Sequence, residues 1–148
     1  MTPAQFEAAL DDEAIVAAIR EEEARSSGEI RVHVAEKEVE SSRREAELTF
    51  ERLGMTATAE RNGVLLYVAP EARAIVVIGD RGIDGCCGEA FWAAVADEVR
   101  DAFRAGRFTE GIVAAVRAVG AELARHFPRR PGEGDSDRNE LPDGVSRG

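Results

Sequence analysis

The sequence predicts an α/β fold, a three-layer-like sandwich in which a small mixed β-sheet is flanked by helices on both faces. Three observations carry this expectation. Val64-Leu65-Leu66-Tyr67-Val68 is a continuous apolar run, the pattern of a strand buried on both faces. The short polar connection Pro70–Arg73 leads from it to a second apolar run, Ala74–Ile78, and two strands joined this closely pair antiparallel. Two amphipathic segments then follow. Phe91, Val95, Val99 and Phe103 recur every four residues, and Ile112, Val116, Val119, Leu123 and Phe127 every three or four, as in helices that cover a sheet.

The other elements follow in chain order. Thr2-Pro3-Ala4-Gln5 is a capping box with proline at the first helical position. Asp11 or Asp12 restarts or continues the helix through Ile15, Ala18 and Ile19 to about Ala24, and Ser26-Ser27-Gly28 ends it. Ile30-Arg31-Val32-His33-Val34 alternates, so it is a strand with one polar face that carries His33. Ser42-x-x-Glu45 opens a helix with the stripe Ala46, Phe50, Leu53, and Gly54 closes it. That helix makes the first two strands parallel through a right-handed crossover, hence a mixed sheet. Thr109 is the expected cap of the last helix, with Phe108 as its hydrophobic staple.

The chain has 148 residues, 44% hydrophobic and 32% charged, which suits one globular domain with a modest core. Residues 1–128 form that domain. Residues 129–148, rich in Pro, Gly and charge, read as a disordered polar tail. A net charge of -10 argues against nucleic acid as a partner, since phosphate binding needs a basic surface. No basic-then-apolar segment opens the chain, and no apolar run approaches the roughly 20 residues of a spanning helix, so the expectation is a cytoplasmic chain without membrane insertion. Cys86 and Cys87 are adjacent and read as free thiols. A zinc site is not expected, for want of a second Cys/His pair at ligand spacing.

Serine-hydrolase, P-loop and Rossmann signatures are all missing. The chemistry concentrates in Gly79-Asp80-Arg81-Gly82-Ile83-Asp84-Gly85, read as a loop after a strand, where ligand sites in α/β sheets collect. Asp80 and Asp84 offer oxygen ligands to Ca²⁺ or Mg²⁺, and Arg81 between them can orient a phosphate. Glu29, just before the first strand, and Glu89, at the start of the next helix, are further candidate ligands. The competing reading is local: aspartates in Gly-rich turns hydrogen-bond their own backbone, and Glu89 is also what a helix dipole favours. His126, at a helix end, reads as structural. Trp92 and Phe91 read as core anchors.

Several spaced positions agree with one family. They are Asn62-Gly63-Val64-Leu65-Leu66, Gly79-Asp80-x-Gly82-Ile83, Phe91-Trp92, Phe103-x-x-Gly106 with Glu110-Gly111, and Gly120-x-x-Leu123 with Phe127-Pro128. Over roughly Ser26–Pro128 the chain resembles the TPM-domain family, which includes thylakoid-lumen acid-phosphatase-like proteins. The resemblance implies a mixed sheet between helices and a divalent-cation groove, to which Gly79-Asp80 carries over first and Asp84 second. Some members are acid phosphatases; others are auxiliary or assembly factors of membrane complexes. Two functions stay open here. One is a divalent-cation-binding interaction or assembly module with a protein partner or membrane complex. The other is a metal-dependent acid-phosphatase-like hydrolase of phosphate esters, with no nucleophile assigned.

Overall fold

The structure, a computed structural model, describes residues 2–129 and 144–148. Helices α1 (Pro3–Ala8) and α2 (Asp12–Glu23) lead into strand β1 (Glu29–Val34). Helix α3 (Ser42–Arg52) and a 3₁₀ turn (Met55–Ala57) precede the hairpin of β2 (Gly63–Ala69) and β3 (Ala74–Gly79). Helices α4 (Arg81–Cys87), α5 (Glu89–Arg104) and α6 (Phe108–His126) follow, and β4 (Ser146–Arg147) ends the sheet. Strand order is β3-β2-β1-β4; β1 is parallel to β2 and β4, while β2 and β3 are antiparallel. The sheet is therefore mixed, as the crossover and hairpin patterns predict.

All seven residues of β2 are buried. Val64, Leu66 and Val68 join Ile30, Val32, Ile75 and Val77 in the larger core, closed by Ile19, Trp92, Val99 and Leu123 from the helices. On the opposite face Leu65, Tyr67 and Ala69 pack with Ala46, Phe50 and Met55, contributed by α3 and the 3₁₀ turn. Helices thus cover both faces. Among the described residues, no helix is long and apolar enough to cross a membrane.

Local signals translate into helix ends with small displacements. The Thr2–Gln5 capping box forms, and Asp11 caps α2 by accepting from Ala14 N. The cap of α3 is Ser41, one residue before the serine the spacing suggests, and Gly54 follows that helix in the left-handed region at φ 69°. Thr109 does not cap α6. Its Oγ1 accepts from Asp11 N at 3.0 Å, an exposed bond that ties the start of α2 to the start of α6. Phe108 packs tilted against Phe6 and edge-on against Phe103 in an aromatic triad, at centroid distances of 4.8 and 5.7 Å.

Two larger differences concern the ends of the sheet. Residues 79–85 are not a loop: α4 occupies Arg81–Cys87, capped by Asp80 and anchored by the fully buried Ile83. In the segment read as a tail, residues 130–143 lie outside the described residues, while Ser146–Arg147 extend the sheet beside β1. Arg147 pairs there with Glu7 and with Asp12 Oδ1, the latter at 2.9 Å, and Val145 packs against the core.

Helices α2 and α6 approach closely at Gly120, where a Cβ would lie 2.5 Å from Glu22 Cβ. An exposed helical Gly→Ala change gains about 1 kcal/mol of propensity, whereas overpacking costs about 1–3 kcal/mol, so Gly120→Ala is expected to be net destabilising. Its urea midpoint should fall; an unchanged or higher midpoint would show that the two helices separate freely.

Candidate functional site

Glu29, Asn62 and Asp80 meet at one end of the sheet. Glu29 stands in register with Gly63, and Asp80 N donates to Gly63 O at 2.9 Å. Because β3 runs antiparallel to β2, this is the N-terminal end of the parallel pair β1–β2, opposite to the end where α/β sheets usually bind ligands. The side chains here are buried: Glu29 is 3% exposed, Asn62 1% and Asp80 6%. Asn62 Nδ2 donates to Ser27 Oγ (3.1 Å), and Ser27 Oγ donates to Glu60 Oε1 (3.2 Å).

Asp80 is committed to Arg61. Arg61 Nε donates to Oδ2 at 2.5 Å and Nη2 to Oδ1 at 2.9 Å, the bidentate geometry of a strong guanidinium–carboxylate pair. Donating these hydrogen bonds to the Asp80 carboxylate raises the Arg61 pKa above its ordinary value. Asp80 Oδ1 also accepts from Arg81 N, which fixes the start of α4. Arg61 itself holds φ at 53°, a conformation that costs energy for a side chain with a Cβ. It is held by Asp80 and by Gly82 N, which donates to Arg61 O at 2.8 Å. A Cβ at position 82 would sit 2.2 Å from Glu60 O, so Gly82 serves this close contact rather than a flexible loop. Sequence reading missed Arg61, since nothing in the pattern Glu60-Arg61-Asn62-Gly63 announces a partner 19 residues away.

Asp84 and Glu89 lie on a different surface. Both are exposed and line an open groove of about 390 Å³ between β3 and α5, with Ile75–Val77 along one side, Trp92 at its base and Arg43 from α3. Trp92 Nε1 donates to Asp84 Oδ1 at 2.8 Å. The indole passes so close to the strand that a Cβ on Gly79 would lie 2.4 Å from Trp92 Cζ2. Trp92 is thus a core anchor whose polar edge also orients Asp84. The side chain of Arg81, expected to orient a phosphate between the two aspartates, is exposed and does not line this groove.

The four expected metal ligands are therefore divided, Glu29 and Asp80 at the sheet end, Asp84 and Glu89 at the groove. Among the described residues, no three of them bring ligand atoms within 4.8 Å of one another, whereas Cys87, Glu122 and His126 do. Burial, then the neighbouring Glu122 carboxylate, push the Cys87 thiol up to about 11. The spacing Glu122-x-x-x-His126 was the available sequence signal for this group, because residues four apart share a helix face.

His33, read as lying on a polar strand face, is buried. It stacks on Tyr67 at 5.5 Å and its Nδ1 lies 3.0 Å from Ser146 Oγ, so β4 covers it. Burial lowers its pKa below 6.5, against an opposing hydrogen bond at Gly148.

Two outcomes are expected. Asp80→Ala removes the α4 cap, worth about 1 kcal/mol, and also strands Arg61, so its urea midpoint should drop by more than the cap alone explains. A drop no larger than the cap value would show the Arg61 pair to be energetically neutral. For His33, the unfolded chain binds the extra proton first, so the stability it contributes is full above pH 6.5 and is lost as pH falls below that value. Urea unfolding between pH 8 and pH 5 should show a smaller acid loss in His33→Gln than in the parent (both pH limits are approximate, set by the ordinary histidine pKa). Parallel pH profiles would contradict the assignment.

Comparison with known proteins places these features in a family. The family model described as the TPM domain matches residues 4–122. The chain is similar to the BA42 protein of the psychrophilic bacterium Bizionia argentinensis, solved by NMR, with 36% identity over 93% of this chain and 92% of that one and a TM-score of 0.82. It shares its fold with the N-terminal domain of a protein from P. gingivalis, at 19% identity over 77% of this chain and 76% of that one, TM-score 0.55. No curated protein sequence matches. A family match across 119 consecutive residues, from the first helix into the last, means that this chain belongs to the TPM domain family.

Proposed function

We propose that this TPM domain is a divalent-cation-binding interaction module whose working surface is the groove between β3 and α5. The observation that supports it is the company the groove keeps: the outer strand of the sheet, two exposed carboxylates and an arginine border one open space. β3 ends the sheet on this side, and an edge strand offers unpaired backbone groups to an extended segment of a partner. Asp84 and Glu89 add oxygen ligands for Ca²⁺ or Mg²⁺ at the rim. The Trp92 hydrogen bond holds one Asp84 oxygen in place, and the ion would use the other. Asp80 is better read as structural, because a cation there would have to displace Arg61.

The hydrolase reading draws less support. Neither histidine nor cysteine lines the groove, and its carboxylates have no nucleophile beside them among the described lining residues.

Calorimetric titration of the full chain with Ca²⁺ and with Mg²⁺ tests the proposal. Binding should weaken by more than about 10-fold in Asp84→Asn/Glu89→Gln, since each change removes a charged oxygen ligand. Parent-like binding in that variant would refute the groove as the cation site. Turnover of p-nitrophenyl phosphate well above a metal-free control would favour the hydrolase instead.

A further inference from the structure

Cys87 ends α4, and Glu122 and His126 occupy one face at the C-terminal end of α6. Cys87 Sγ lies 3.8 Å from Glu122 Oε2, and His126 Nε2 lies 3.3 Å from the same oxygen. One donor atom from each residue falls within 4.8 Å of the other two. The other Glu122 oxygen, Oε1, faces Arg125 at 3.9 Å, which leaves Oε2 for the cluster. All three side chains are partly buried, with Glu122 24% and His126 26% exposed.

These separations have a specific chemical meaning. Zinc bonds of about 2.3 Å to sulfur, about 2.0 Å to nitrogen and about 2.1 Å to oxygen, at tetrahedral angles, require S···O and N···O edges of about 3.6 and about 3.4 Å. The observed 3.8 and 3.3 Å differ from those edges by about 0.2 and about 0.1 Å, and the third separation, Cys87 Sγ to the His126 imidazole, is within 4.8 Å. A metal ion at this position takes the place of the Cys87 thiol proton, which in the metal-free chain is directed at Glu122 Oε2. The negative end of the α6 dipole favours the same cation. Sulfur and imidazole donors select zinc-type ions over calcium and magnesium, which prefer all-oxygen shells.

We propose that Cys87, Glu122 and His126 form a three-ligand site for a zinc-type transition-metal ion, with solvent in the fourth position. The site joins the end of α4 to the end of α6 and is separate from the oxygen-lined groove. On binding, the Sγ–metal bond forms as the Sγ–H bond breaks, and that proton passes to the buffer. His126 coordinates through Nε2 as the neutral imidazole, with its proton on Nδ1.

The test uses the full chain, reduced, titrated with Co²⁺ and then Zn²⁺. The parent should develop a sulfur-to-cobalt charge-transfer band saturating at one equivalent, and Zn²⁺ should bleach it. Cys87→Ser should abolish the band, and His126→Gln should weaken Zn²⁺ binding by more than about 10-fold in competition with a chromophoric chelator. Cys86→Ser and Asp84→Asn/Glu89→Gln should leave both signals intact, which separates this site from the groove. Circular dichroism of each variant checks that it folds. No thiolate band in the parent would overturn the proposal, as would a band that survives Cys87→Ser or is lost only in Cys86→Ser.

Discussion

Burial of β2 on both faces is the constraint on which the rest of the architecture depends. A strand with seven buried residues has no solvent side, so each face needs its own helical layer. The even-numbered residues Val64, Leu66 and Val68 call for the large layer of α2, α5 and α6. The odd-numbered Leu65, Tyr67 and Ala69 call for α3 and the 3₁₀ turn. The flanking strands follow: β1 arrives parallel through the crossover, β3 returns antiparallel through a short turn, and each leaves its outer edge to be covered or used. β4 covers the β1 edge, whereas β3 borders the groove.

Close packing at glycine then places the polar groups. Gly79 lets the Trp92 indole lie against β3, which brings its Nε1 to Asp84. Gly82 lets α4 start against the Glu60–Arg61 backbone, which brings Arg61 onto Asp80. The same short helix therefore has one aspartate locked into the fold and another facing solvent. Two carboxylates four residues apart acquire unlike roles because one end of α4 is buried against the sheet and the other is not.

The chain belongs to the TPM domain family, and several of the positions through which its sequence resembles that family make packing contacts here. Gly79, Trp92, Gly120 and Leu123 act through shape. The two proposed ion sites differ in kind. The groove offers hard oxygen donors at an exposed edge, while the α4–α6 junction gathers sulfur, nitrogen and oxygen between helix ends. The first suits recruitment of a partner, and the second suits fastening two helices together.

Periodicity and end signals made the fold class readable in advance. The apolar run of β2, the alternation of β1, the helical stripes of α5 and α6 and the caps at Thr2 and Asp11 are local patterns, and local patterns survive in one dimension. The glycines of 79–85 were misleading for the same reason. A glycine needed for close approach and one needed for a loop look alike in sequence, and only the packing of Ile83 and the Asp80 cap distinguish helix from loop. Tertiary structure alone decided that Asp80 would pair with Arg61, that Glu29 and Asp84 would part company, and that Cys87 would meet Glu122 and His126. Those contacts join residues 19, 35 and 39 positions apart, and their existence depends on the antiparallel return of β3 and the packing of α4 on α6.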